Sequence, residues 1–285
     1  MTKILIIGAS RGIGFETVKA ALEAGHNVRA FARSAGKILV EHPNLEKFSG
    51  DALVASDVRA ALDSVDVVIQ VLGAPINPDT ILTGTQLFSE ATRVLVDAME
   101  DLGPKRLICV TGLGAGDSRG RLGLKFSLFF TLSIARIYND KDVQERIVRN
   151  SSLDWTIARP GILRDGRATG LYRALTEPED WRAEPIRRAD VALFLVEEAE
   201  RGTYRGKTPL IIEACEGSVH MAGAQARRKT SASCAKSSRC GVTPSVPPYT
   251  AMLSARNVSA RNTTMSARAS DHGRAPRAPT SACLL

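Results

Sequence analysis

Short runs of aliphatic and β-branched residues alternate with longer stretches in which apolar residues recur every three or four positions. Residues 3–8 (Lys-Ile-Leu-Ile-Ile-Gly) are a continuous apolar run of strand length, the pattern of a strand buried on both faces. Residues 13–24 place Ile13, Val18, Ala21 and Leu22 on one helical face, and Gly25 follows as a stop. The same reading predicts strands at 27–33, 45–50, 65–71, 106–111, 155–159 and 209–212, and helices at 56–62, 85–101, 124–150 and 189–201. A loop carrying Pro75 and Pro78 and an irregular stretch up to about 185 lie between them.

Regular alternation of strand and helix predicts an α/β fold, a Rossmann-type doubly wound parallel sheet with helices on both faces. All strand C-termini then meet at one edge, where ligands bind in such sheets. The pattern supports a single NAD(P)-binding Rossmann domain over residues 1–214. Beyond it, 215–285 lose apolar periodicity and become a basic Ser/Ala/Arg-rich segment with near repeats at Ser254-Ala-Arg-Asn, Ser259-Ala-Arg-Asn and Ser266-Ala-Arg-Ala. Such a composition buries too little apolar surface to offset chain entropy, so a disordered tail is expected. A basic tail that touches nucleic acid or acidic membrane is the functional alternative.

Charge changes the picture only once it is located. Residues 216–285 hold ten Lys/Arg against two acids, so the whole formal net charge of +8 resides there and the first 215 residues are balanced. No nucleic-acid partner is expected for the folded domain. Cys109 is the sole cysteine before position 215, no CxxC pair or zinc spacing occurs, and Cys109 sits in an apolar strand as a small hydrophobe. Neither the N-terminal apolar run nor the stretch 122–137, interrupted by Lys125 and Arg136, has the length of a membrane span. A cytoplasmic protein without membrane partners is the expectation.

The strongest local signal is Gly8-Ala9-Ser10-Arg11-Gly12-Ile13-Gly14, set between the first strand and the first helix. A sharp turn suits Gly8, close backbone approach to a pyrophosphate suits Gly12, and tight helix–strand packing suits Gly14. Free N–H groups at the start of the helix favour an anion. The second strand ends in Ala30-Phe31-Ala32-Arg33-Ser34, with no acid for ribose hydroxyls. Arg33 and Ser34, with Arg11 on the same side, suit a 2′-phosphate, so NADP(H) is preferred and NAD(H) is possible.

With these motifs the chain resembles the short-chain dehydrogenase/reductase superfamily, and within it the atypical NAD(P)H-binding proteins akin to the flavin reductase/biliverdin reductase B and NmrA-like groups. The resemblance runs over about residues 3–213. It rests on the glycine turn, Gly50-Asp51-Ala52, Val71-Leu72-Gly73-Ala74, Val110-Thr111-Gly112, Lys141, and Ser152-Leu-Asp-Trp-Thr-Ile-Ala-Arg-Pro-Gly161. The glycine turn contributes Gly8, Ser10, Arg11, Gly12, Ile13 and Gly14 to the expected cofactor site. The resemblance places Asp51 and Ala52 beside the adenine, and Leu72 and Gly73 under the adenosine ribose. Thr111 and Lys141 fall at the nicotinamide ribose, and Pro160 and Gly161 in the nicotinamide pocket. For Asp51, capping of the helix that follows is a competing role.

One departure stands out. The superfamily's Tyr-x-x-x-Lys is replaced by Tyr138-Asn-Asp-Lys141, with Asp142 in the fourth position. Catalytic candidates are therefore Thr111, Tyr138 and Lys141, without the standard geometry. Phe126, Phe129 and Phe130 suit either helix core or a flat wall for a planar acceptor, and Trp181 and Tyr172 are candidates for a lid. The expected function is that of an NAD(P)H-dependent reductase transferring hydride from NADPH to a small organic molecule. The alternatives are an NADP(H)-binding sensor of NmrA type and a redox-neutral, epimerase-like enzyme.

Overall fold

A computed structural model describes residues 1–75, 77–102, 104–121 and 135–214. The expected tail (215–285), the start of the helix expected at 124 and the three phenylalanines Phe126, Phe129 and Phe130 lie outside these residues.

The strands are β1 (Lys3–Ile7), β2 (Asn27–Ala32), β3 (Leu45–Ser49), β4 (Val67–Gln70), β5 (Arg106–Val110), β6 (Asp154–Pro160), β7 (Ile162–Arg164), β8 (Tyr172–Leu175), β9 (Pro185–Arg187) and β10 (Leu210–Glu213). The helices are α1 (Gly12–Glu23), α2 (Ala55–Ala61), α3 (Pro78–Thr83), α4 (Leu87–Leu102), α5 (Ala135–Asn150) and α6 (Arg188–Arg201). The main sheet runs β3-β2-β1-β4-β5-β6-β10-β8. Every pairing is parallel except the last, where β8 runs antiparallel to β10.

This is the Rossmann-type doubly wound order. The chain winds outward from β1 to β2 and β3, then returns to place β4 on the other side of β1. The crevice between β1 and β4 is the topological switch point, the place such sheets offer a ligand. Alternation along β1 shows why the strand must be apolar throughout. Ile4 and Ile6 enter the core beneath α1 and α6, with Val18, Ala21, Val191 and Leu195. Leu5 and Ile7 enter the opposite core beneath α2 and α4, with Val58, Leu95, Met99, Leu107 and Ile157. A polar residue at any of these four β1 positions would be buried against one helix layer or the other.

Three details depart from the sequence reading. The sheet is not wholly parallel, because β8 joins it antiparallel at the edge. The stretch read as irregular up to about 185 contains β8 and the short parallel pair β7–β9. The loop around Pro78 contains α3, opened by a reciprocal Asn77–Thr80 capping box. These elements have three to six residues, and α3 buries no residue, so none carries a readable apolar period.

The segment before β8 is tied to α6 through a buried carboxylate. Asp190, in the first turn of α6, accepts hydrogen bonds from Thr169 N (2.7 Å), Thr169 Oγ1 (2.9 Å) and Gly170 N (2.8 Å). A carboxylate there is also favoured by the helix dipole. Asp190→Ala would remove three hydrogen bonds to a buried carboxylate and is expected to cost about 2 kcal/mol, read as a lower urea midpoint at unchanged slope.

Candidate functional site

The turn between β1 and α1 is built from three glycines with three different reasons. Gly8 has φ +90°, and a Cβ on it would lie 2.9 Å from the carbonyl carbon of Val71, nearer still to its oxygen. A Cβ on Gly14 would lie 2.9 Å from the carbonyl carbon of Gly8. Both positions are closed by backbone that cannot swing away, so α1 packs down on the turn and the turn packs on the end of β4. Gly12 differs. Its φ is +57°, yet among the described residues a Cβ there would meet only the Arg188 side chain, at 4.0 Å. Its need for glycine is conformational, and the space before it is open.

The start of α1 completes the cradle. Arg11 precedes the helix in extended conformation, makes no side-chain cap, and no acid occupies the first turn. The first N–H groups therefore lack the side-chain acceptor that usually satisfies them. Open space, a left-handed glycine and uncapped amides on a twelve-residue helix fit the pyrophosphate of a dinucleotide.

The remaining cofactor candidates come from neighbouring strand ends. Arg33 follows β2 and is exposed, and Ser34 beside it is half-buried. Asp51 follows β3. Its Oδ1 accepts from Leu53 N at 3.1 Å, while α2 is opened by Val54, so Asp51 shapes its own turn and is not the helix cap. Ala52 is buried, and Leu72 and Gly73 are half-buried after β4. Because β3, β2, β1 and β4 are consecutive and parallel in the sheet, all these residues share its C-terminal edge.

The ends of β5 and β6 carry a buried polar layer. Lys141 of α5 is 2% exposed, donates from Nζ to Thr111 O at 3.1 Å, and stands 4.1 Å over the Phe88 ring. Burial pushes its ammonium down to about 8. Thr111 Oγ1 donates to Glu145 Oε1 at 2.8 Å, so its hydroxyl proton is engaged. Tyr138 is buried, with its hydroxyl packed against Gly112, and burial pushes the phenol well above its ordinary range. Lys141 turns its ammonium toward Thr111 and Phe88.

Sequence reasoning missed the anchor of this layer. Arg159 is fully buried and holds Glu145 through Nε (2.9 Å) and Nη2 (2.6 Å), with Asp117 Oδ1 at 2.6 Å. A signal was present, since an arginine inside the apolar β6 run needs a buried counter-charge. Glu145 also lies four residues after Lys141, on the same face of α5.

Trp181 lies 5.0 Å over the Arg159 guanidinium, is 6% exposed, and donates from Nε1 to Leu175 O at 3.0 Å. Tyr172 sits in β8 and its hydroxyl donates to Glu197. Both are fixed in the packing, which corrects the expectation that they form a lid. Pro160 is buried in β6. A Cβ on Gly161 would lie 3.4 Å from the carbonyl carbon of Glu184 and closer to its oxygen, so chain packing by itself requires glycine there. Among the described residues no group of His, Cys, Asp and Glu is arranged to hold a metal ion, and no helix is long and apolar enough to cross a membrane.

Comparison with known proteins identifies the family. A family model described as NAD(P)H-binding matches residues 8–201. The solved structure of ChuY, described as an anaerobillin reductase from Escherichia coli O157:H7, is 30% identical with a TM-score of 0.62, over 78% of this chain and 100% of that one. The uncharacterised protein YwnB of Bacillus subtilis is 25% identical over 222 residues, 75% of this chain and 100% of YwnB. An NAD(P)H azoreductase of Xenophilus azovorans is 28% identical over 161 residues, 56% of this chain and 48% of the azoreductase.

Two experiments check this geometry. Gly12→Ala is expected to cost about 1–2 kcal/mol of stability, from its left-handed backbone, and to weaken dinucleotide binding at least tenfold. Gly8→Ala should destabilise more than Gly12→Ala, because backbone has to move; thermal unfolding and calorimetric titration separate the two effects. Lys141 is held at about 8 in the folded chain against 10.5 as its ordinary value. Between those values the unfolded chain holds the extra proton, so wild-type stability should climb with pH relative to Lys141→Met, by about 3 kcal/mol in total. Denaturant unfolding of both proteins from pH 7 to 10 reads this difference.

Proposed function

The chain belongs to the NAD(P)H-binding family, and from that premise we propose that it is a reductase that uses NADPH to reduce a small, planar organic acceptor. The observation that carries the reading is the glycine turn, an open left-handed Gly12 before an uncapped α1 at the switch point of the sheet. In this reading the amides of 8–14 hold the pyrophosphate. Arg33 and Ser34 hold the 2′-phosphate, Asp51 and Ala52 flank the adenine, and Leu72 and Gly73 support its ribose. Thr111 and Lys141 bind the nicotinamide ribose, with Pro160 and Gly161 behind the ring.

When bound, the cofactor supplies the hydride. The protein supplies position, charge and protons. Lys141 below pH 8 is a buried cation fixed beside Thr111, able to donate to a ribose hydroxyl. Tyr138, kept protonated by burial, is the side chain with a proton to give next to Gly112. Thr111 has its proton committed to Glu145 and serves through its backbone and position. The two relatives named for reductase activity support the reaction class. The Tyr138-Asn-Asp-Lys141 spacing in place of Tyr-x-x-x-Lys favours a second reading, a dinucleotide-binding sensor without turnover.

NADPH absorbance followed with the full chain and a panel of flavins, quinones, linear tetrapyrroles and carbonyl compounds separates the readings. Turnover with any acceptor supports the reductase. Saturable binding without turnover across the panel supports the sensor. Heat and saturation absent with either dinucleotide would sink both. Arg33→Ala is expected to weaken NADPH about tenfold relative to NADH, as loss of a charge-assisted phosphate contact requires.

A further inference from the structure

One cation beside the glycine turn belongs to none of the motifs read from the sequence. Arg188 is the first residue of α6. Its Cδ and Nε lie 4.0 Å from the point a Cβ on Gly12 would occupy, and among the described residues no other group comes within that distance. The residue is only 9% exposed. Its Nη1 donates to Asp165 Oδ1 at 2.7 Å, and the Asp165 side chain is itself 90% exposed. A nearly buried arginine thus lies beside Gly12 at the head of α1, while one of its partners, the Asp165 carboxylate, stands in solvent.

The chemistry of that pairing is lopsided. An ion pair whose carboxylate remains hydrated holds weakly and is screened by salt. A phosphate seated on the turn would offer the same guanidinium two oxygens, in a place where the helix dipole already favours negative charge. We propose that Arg188 is a phosphate ligand of the dinucleotide site, closing on the pyrophosphate from the α6 side, and that Asp165 is the counter-ion it gives up. This inference rests on the dinucleotide reading of the glycine turn. It assigns Arg188 a different task from Arg33. The pyrophosphate is common to both nicotinamide dinucleotides, so Arg188 serves NADPH and NADH alike, whereas Arg33 distinguishes them.

The test is titration of the full chain with NADPH and with NADH, for wild type, Arg188→Ala, Asp165→Asn and the double variant. Arg188→Ala should weaken both dinucleotides by a similar factor, about tenfold or more. Asp165→Asn should tighten both a few-fold, about two to five, and that gain should vanish in the double variant, because it acts through Arg188. Wild-type affinity in Arg188→Ala, or a loss confined to NADPH, overturns the inference while leaving the dinucleotide reading intact. Wild type that binds neither dinucleotide overturns that reading and this inference with it. Should Arg188→Ala fail to fold, Asp165→Asn decides alone: its side chain is exposed, and unchanged or weaker binding in it refutes the exchange.

Discussion

The site depends on one constraint, the absence of room for any side chain where α1 leaves β1. Gly14 lies against the carbonyl of Gly8, and Gly8 lies against the carbonyl of Val71. Through these two approaches the first helix, the first strand and the end of β4 are fixed to one another by backbone alone. Backbone does not relax by changing rotamer, so the amides at the head of α1 are held ready without any ligand to organise them. Low reorganisation is what makes preformed donors effective toward an anion.

A second, independent arrangement governs the other half of the site. Arg159, Glu145 and Thr111 tie β6, α5 and the end of β5 into one buried layer, with Trp181 closing over the guanidinium. Breaking one partner of such a pair leaves an uncompensated buried charge, whereas the intact set adds order more than stability. Lys141 belongs to the same helix face and is held by the same end of β5. The glycine turn is thus positioned by sterics and the catalytic candidates by electrostatics. The two halves meet at the C-terminal edge of the sheet.

Much of this was legible in the sequence for physical reasons. Strands buried on both faces must be apolar throughout, as Ile4 to Ile7 are, and helices packed on a sheet must repeat every three to four residues, as α1 and α4 do. The glycines of the turn were legible because nothing else fits. What was hidden depends on pairing across the chain. Asp190 reads as an ordinary acid in a helix and proves to be the anchor of Thr169 and Gly170. Arg188 and Asp165 stand 23 residues apart and meet only in space. Trp181, a lid candidate in a stretch without periodicity, has its place set by Arg159, a partner that sequence spacing does not reveal.

The two margins of the sheet carry a consequence for how the molecule behaves in company. Among the described residues, β3 at one margin carries Glu46 and Lys47 side by side, and β8 at the other, four residues long, carries Arg173. A margin strand offers unpaired amides and carbonyls to any extended chain that drifts alongside. Brevity and ionic side chains make that docking costly, since each arriving strand would have to strip water from the charges. A short last strand at one border and ionic side chains at both leave the sheet poorly suited to recruiting a neighbour into it.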